Sequence, residues 1–146
     1  MKYEFTLPLP PRGLSPNVMK GRHFGGIARM KQEYIRACLF LILHAQTEKH
    51  LPTTVKTPCI LNLIFCYSKG QTDIEKYHRS ALAFCRDDDN AIGSFKSGRD
   101  ALKISGLITD DSAKHLRIGT VQLFTTAKEH KNRACILVEL VEIEEP

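Results

Sequence analysis

The chain has 146 residues, of which 42% are hydrophobic and 25% charged, with a net charge of +5. This balance excludes disordered and fibrous classes and predicts one domain, residues 1–146, that folds without a metal or disulfide staple. No apolar run approaches the ~20 residues of a membrane span, and the five cysteines form no CxxC pair, so we expect a soluble, cytoplasmic protein without a membrane partner.

The first half of the chain predicts a strand, a loop, a helix and a second strand. Residues alternate between apolar and polar from Tyr3 to Leu9, which predicts a strand that ends at two prolines. Turn-forming residues fill 10–26. Apolar residues spaced three and four apart predict an amphipathic helix from Ile27 to Thr47. The β-branched run from Cys59 to Tyr67 predicts a strand buried on both faces.

The second half predicts a further helix between strands. Residues Ser80 to Phe84 are predicted as a short hairpin strand, and Ala91 to Ser105 as a helix with Gly106 at its C-terminal cap. His115 to Thr125 and Arg133 to Ile143 are predicted as closing strands. The order β-α-β-β-α-β-β predicts an α+β fold with a mixed sheet and two main helices.

Charge is distributed unevenly along the chain. Residues 1–50 carry eight Lys and Arg against three Asp and Glu, whereas acidic residues cluster at Asp87-Asp88-Asp89, at Asp110-Asp111 and in the C-terminal tail. A basic field beside concentrated carboxylates suits a nuclease, because the field attracts phosphate while the carboxylates hold metal ions. The alternative is a mildly basic surface without a polyanionic partner.

Asp87 and Asp89 form the core of a predicted metal site. Residues two apart on an extended segment point to the same side, so these carboxylates converge and repel unless a cation separates them. A hard divalent ion, Mg²⁺ or Mn²⁺, suits such oxygen ligands. Asn90 is a candidate helix cap, and Lys96 returns to the face on which the helix starts.

The position of Asp111 poses a geometric problem. A helix from Asn90 to Ser105 would be ~24 Å long, and five extended residues recover only ~17 Å. Asp111 therefore reaches Asp89 only if the helix is shorter or bent. Gly93 and Gly98 are candidate bends, and Ser94 is an alternative cap.

The segment from 87 to 111 resembles the RusA family of Holliday-junction resolvases. The matching residues are Asp87-x-Asp89-Asn90, Lys96, Asp100-Ala101-Leu102, Gly106 and Asp110-Asp111, and the start LPLPP with Ser15-Pro16-Asn17 is similar as well. The interval from Asn90 to Lys96 is longer than in the shortest family members.

The resemblance implies a small, homodimeric, Mg²⁺-dependent endonuclease that cuts branched DNA. By position, Asp87, Asp89 and Asp111 are the implied catalytic metal ligands, and Lys96 is the implied essential lysine. Paired nicks in a four-way junction would follow from the two-fold symmetry that a dimer shares with it. The alternatives are a non-catalytic protein that binds branched DNA and a nuclease that acts on flaps or linear duplex.

Other charged and titratable residues receive weaker roles. Asp88 and Asp110 are expected outside the set of metal ligands, and Asp100 is expected to pair with Lys96 four residues earlier. The six histidines lack ligand spacing, and Cys59, Cys66 and Cys135 are interpreted as core residues in strands. The candidates for contact with the DNA backbone are basic residues whose alternative is a solvated surface charge: Lys20, Arg22, Arg29, Lys31 and Arg36.

Overall fold

The computed structural model describes residues 1–11, 14, 24–68, 92–126 and 134–144. Within these residues the elements are β1 (Lys2–Leu7), α1 (Phe24–Thr47), β2 (Cys59–Ser68), α2 (Lys96–Ile104), β3 (Leu116–Thr126) and β4 (Cys135–Glu142). A short helical segment at 92–94 precedes α2.

The α+β class and the mixed sheet are confirmed, but the predicted element order does not match. The described elements follow the order β-α-β-α-β-β rather than β-α-β-β-α-β-β. The strand that was expected between β2 and α2, from Ser80 to Phe84, lies outside the described residues. Helix α1 begins at Phe24, three residues before the predicted start, and β1 ends at Leu7, before the prolines.

The four described strands form one sheet in the order β1-β4-β2-β3. Strand β4 lies between β1 and β2 and is antiparallel to both, whereas β2 and β3 are parallel. Helix α2 lies in the long connection between these parallel neighbours, which a hairpin turn could not join. Strand β4, the last of the described strands in the chain, is thus one of the two inner strands of the described sheet.

The core lies on one face of the sheet, under the two helices. Alternate residues of β2, from Cys59 to Phe65, are fully buried, together with Tyr34, Cys38 and Ile42 of α1 and Leu102 of α2. The Tyr34 hydroxyl donates a hydrogen bond of 2.7 Å to the carbonyl oxygen of Pro8, which ties α1 to the end of β1. Leu14, Leu51 and Leu107 are buried in the same core cluster.

The opposite face of the sheet, called here the second face, is less buried than the sequence predicts. On β2 it carries Ile60, Asn62, Ile64 and Cys66, which are half-buried, so β2 is not buried on both faces. On β4 it carries residues 135, 137, 139 and 141, of which Leu137 is exposed. Two of the three cysteines assigned to the core therefore lie on the second face instead.

A β-bulge shapes the middle of the second face. The register between β2 and β3 shifts after Leu61, so that Asn62 faces both Gly119 and Thr120. The Asn62 Oδ1 atom accepts the Thr120 backbone N–H at 2.8 Å, and its Nδ2 donates to Glu139 Oε1 at 2.8 Å. Gly119 leaves space for this amide, since a Cβ atom there would collide with Asn62 Oδ1.

Two further observations bound the fold. Among the described residues, no helix is both long and apolar enough to cross a lipid bilayer. The loop that precedes β2 is tied to the loop that follows α2, because the Val55 N–H donates to Leu107 O at 2.7 Å and the Cys59 N–H to His115 O at 3.0 Å. The segment after α2 is therefore anchored at both ends.

Candidate active site

Helix α2 is shorter than predicted because Phe95 interrupts it. Residues 92–94 are helical, but Phe95, with φ of −93° and ψ of 8°, is the N-cap of α2 and provides no side-chain capping hydrogen bond. Its fully buried ring lies over Gly98, where a Cβ atom would collide with the ring carbons. Ser94 is thus not the N-cap residue, and Gly98 accommodates a neighbouring ring.

Helix α2 is shorter than the predicted span from Asn90 to Ser105, which the sequence analysis gave as one condition for the return of Asp111. Helix α2 spans nine residues, a length of about 13 Å in place of ~24 Å. Gly106 follows with a φ of 80°, as its predicted role as a C-terminal cap requires. The Ile108 N–H then donates to Leu102 O at 3.2 Å, so the chain turns back along the helix.

The returning chain meets a row of cations on α2. Lys96, Arg99 and Lys103 are three and four residues apart and share one face of the helix, which we call the cation row. Lys103 Nζ lies 3.2 Å from Asp110 Oδ1, and Arg99 Nη2 donates to the Asp111 carbonyl oxygen at 3.1 Å. Because the chain passes from Lys103 to Arg99, Asp111 lies on the face that carries Lys96.

The Asp110 carboxylate is held by its own neighbours. The Ser112 hydroxyl, and after it Lys103, lower the pKa of Asp110 to about 2. His115 Nδ1 lies 3.7 Å from Asp110 Oδ2 and 3.1 Å from the Ser112 hydroxyl oxygen. The oxygens of Asp110 are engaged in this way, and its expected place outside the metal ligands stays a prediction.

The surroundings of the Asp111 side chain differ from those of Asp110. It is half-buried, and within the described part of the chain its carboxylate takes part in no hydrogen bond or salt bridge. Its main-chain oxygen accepts a hydrogen bond from Arg99, and its charge contributes to raising the pKa of Lys103. The role of Asp111 as a metal ligand stays a prediction.

Sequence reasoning missed Arg99, the residue that fixes Asp111. Its side chain is half-buried, and its Nε atom is buried without a hydrogen-bond partner among the described residues. Its position three residues after Lys96 was a usable signal, since that spacing places it on the face of the candidate lysine. The partner of Arg99 is a main-chain oxygen, which a sequence pattern does not reveal.

Lys96 occupies the first residue of α2 and is exposed. The ion pair expected between Lys96 and Asp100 is not among the salt bridges of the described residues, which instead include Lys103 with Asp110. Asp100 contributes to raising the pKa of Lys103, after the larger effects of Asp110 and Asp111. Lys96 is therefore an exposed residue that shares a helix face with Arg99 and Lys103.

Several predicted site residues lie outside the described residues. They include the two remaining metal-ligand candidates, Asp87 and Asp89, with the candidate cap Asn90, and two of the basic candidates, Lys20 and Arg22. The shared pocket of Asp87, Asp89 and Asp111 remains a prediction. The part of it that the structure describes is the approach of Asp111 to the helix face of Lys96.

The three described basic candidates lie on α1, and all are exposed. Arg29 and Arg36, seven residues apart, share one face of the helix, on the side away from the buried Tyr34 and Cys38. Lys31 is in line with the buried stripe instead, three residues before Tyr34 and near the start of the helix. Arg29 and Arg36 thus lie on one face of α1, whereas Lys31 lies on another.

The donor set is consistent with a hard divalent cation but is incomplete in the described part of the chain. No group of three or more His, Cys, Asp or Glu residues that could hold a metal ion occurs among the described residues. Asp111 offers one half-buried carboxylate, which is the type of ligand that Mg²⁺ takes. Asp87 and Asp89 are the residues expected to supply the others.

Comparison with known proteins adds no assignment. No family model matches the sequence, and no curated protein matches it.

Proposed function

We propose that this protein is a Mg²⁺-dependent endodeoxyribonuclease that cuts branched DNA, with Mn²⁺ as an alternative ion. The observation that carries the proposal is the return of the chain after α2, which brings Asp111 to the helix face of Lys96. A carboxylate that can ligate a metal ion and an ammonium that can contact phosphate are two of the groups that a metal-dependent phosphodiesterase uses. The resemblance of residues 87–111 to the RusA family supports the same assignment.

Each residue of the proposed site has a distinct task. Asp87, Asp89 and Asp111 would hold the ion, which when bound activates water and neutralises charge on the phosphate. Lys96, exposed at the start of α2, would contact the scissile phosphate, where its charge stabilises the negative charge that develops in the transition state. Arg99 acts through the main chain of Asp111 and is a positioning residue.

Substrate binding is assigned to the basic surface. Lys20, Arg22, Arg29, Lys31 and Arg36 are proposed to contact the DNA backbone, because phosphate neutralisation supplies most of the affinity in such complexes. We propose a homodimer for the active form, since two identical sites related by a two-fold axis match the symmetry of a four-way junction. Paired nicks in opposed strands would then resolve the junction.

The experiment is cleavage of a synthetic four-way junction, compared with a flap and a linear duplex of the same sequence at one salt concentration. The proposal predicts symmetric nicks that require Mg²⁺ or Mn²⁺. Asp89→Asn and Asp111→Asn should abolish cleavage while junction binding persists. Asp110→Asn is the matched control, because that carboxylate is engaged by Lys103 and Ser112, and it should continue to cleave.

The other outcomes separate the alternatives. Salt-sensitive junction binding without cleavage, indifferent to Asp89 and Asp111, would instead identify a non-catalytic protein for branched DNA. Cleavage of flaps or linear duplex in preference to the junction would support the nuclease activity and contradict the assignment of the junction as substrate. If the protein neither binds nor cleaves a junction in the presence of either metal ion, the proposal as a whole is contradicted.

A further inference from the structure

Two cysteines face each other across the sheet on the second face. In the antiparallel pairing of β2 with β4, Cys66 is the direct partner of Cys135. The alternation of buried residues along each strand places both side chains on the second face, where both are half-buried. Cys38 and Cys59, by contrast, are fully buried in the core.

The spacing of such a pair suits a disulfide bond. Directly opposed residues of an antiparallel pair have Cα atoms about 4.5 or 5.5 Å apart, and disulfides join Cα atoms about 4.4–6.8 Å apart. Their Cβ atoms, about 4.5–5.5 Å apart in a ladder, must approach somewhat to reach the usual disulfide spacing. A bond formed there is accordingly easier to reduce than an unstrained one.

The Cys66 thiol also affects the titration of Cys135. Burial, and after it the neighbouring Cys66 thiol, raises the pKa of Cys135. Burial also raises the pKa of the core thiols Cys38 and Cys59, to about 11, but no cysteine contributes to either of these shifts. Cys66 and Cys135 are both free thiols in the structure.

We propose that Cys66 and Cys135 are a thiol–disulfide exchange site whose substrate is a small soluble disulfide such as oxidised glutathione. The thiolate of one cysteine attacks a sulfur of the small disulfide and releases one thiol, which leaves a mixed disulfide on the protein. The second thiolate then displaces the other half as a second thiol. Two protein thiols are oxidised to one disulfide while one small disulfide is reduced to two thiols.

The bond would link the last pair of the ladder between β2 and β4. Cys66 lies two residues before the end of β2, at Ser68, and Cys135 is the first residue of β4. The bond thus ties the carboxyl end of one central strand to the amino end of the other. This inference goes beyond the proposed nuclease function and does not depend on it.

The test is a titration of the folded protein with mixtures of reduced and oxidised glutathione, followed by alkylation and non-reducing peptide mapping. The expected product is an intramolecular bond between Cys66 and Cys135, with a mass loss of two hydrogen atoms. Cys66→Ser and Cys135→Ser should each instead accumulate a mixed disulfide with glutathione at the remaining cysteine. Cys38→Ser is the control and should form the bond as the original chain does.

The experiment is repeated with Cys85→Ser, because Cys85 lies outside the described residues. Formation of the Cys66–Cys135 bond in that variant is the supporting result. The inference is overturned if both thiols stay reduced at excess oxidised glutathione, if both carry glutathione without joining, or if either pairs with a different cysteine. Circular dichroism of each variant confirms that the reacting protein is folded.

Discussion

Gly98 provides the space in which the ring of Phe95 packs at the start of α2. A glycine inside a helix costs about 1 kcal/mol relative to alanine, so its presence in a helix of nine residues needs a compensating contact. The buried ring of Phe95 is that contact. The start of α2, and with it the length that lets Asp111 return, depends on this pair.

We predict that Gly98→Ala destabilises the protein by about 1–3 kcal/mol, because the new methyl group must displace a ring that is packed in the core. Urea denaturation measures the change in the free energy of unfolding. Gly26→Ala is the matched control, since a Cβ atom at this exposed position of α1 meets nothing within 4 Å, and it should be neutral or slightly stabilising. Equal stability of the two variants would contradict the packing argument.

The titration of Asp110 makes a second prediction. Because the folded pKa, about 2, is below the ordinary 3.8, ionised Asp110 stabilises the fold above pH 3.8, and this stabilisation is lost as the pH falls to about 2. The Tm difference between the original chain and Asp110→Asn should shrink over that interval. A difference that stays constant from pH 6 to pH 2 would show that the carboxylate is not held as described.

NMR titration of two variants tests which neighbours lower the pKa of Asp110. Ser112→Ala and Lys103→Gln should each raise the pKa of Asp110, because the hydroxyl and the ammonium both lower it. A pKa that is unchanged in one variant would show that the group removed there does not hold the carboxylate.

At the scale of elements, hydrophobic pattern predicted what depends on local sequence. The run from Cys59 to Tyr67 predicted β2 to within one residue, and the spacing of three and four predicted the long helix α1. The start of α2 was missed because it depends on the contact between Phe95 and Gly98, which is a packing effect. The placement of β4 between β1 and β2 was also missed, since a pattern of single strands carries no information on their neighbours.

The bulge between β2 and β3 is an element-scale feature with its own prediction. We expect Asn62→Ala to lower the free energy of unfolding by about 1–3 kcal/mol, because it leaves the Thr120 N–H and the Glu139 carboxylate without the amide that joins them. The pKa of Glu139, now lowered chiefly by the Asn62 hydrogen bond, should rise. Urea denaturation and NMR titration measure the two effects.

A control separates the bulge from the strand itself. Ile64→Val removes one methyl group from the same face of β2 without touching the bulge, and should cost less and leave the pKa of Glu139 unchanged. If Asn62→Ala leaves both stability and that pKa unchanged, the amide does not hold the bulge together.

At the scale of the whole molecule, the helical layer and the second face of the sheet carry different features. The helices cover the core face and position the cation row and the returning segment, whereas the second face carries the bulge and the cysteine pair. The sequence predicted which carboxylates should gather, because Asp111 belongs to a motif. It could not predict how Asp111 arrives beside α2, since that depends on a short helix, a glycine with positive φ and a main-chain contact to Arg99.

The central claim is that Asp87, Asp89 and Asp111 hold one cation together. Binding of Mn²⁺ by the purified protein, followed by electron paramagnetic resonance, tests it without any DNA. We predict that Asp87→Asn, Asp89→Asn and Asp111→Asn each weaken binding by at least about tenfold, because each removes a ligand. Asp110→Asn should bind Mn²⁺ as the original chain does. Mn²⁺ affinity that is unchanged in Asp111→Asn, whatever Asp87→Asn and Asp89→Asn show, would contradict the shared site.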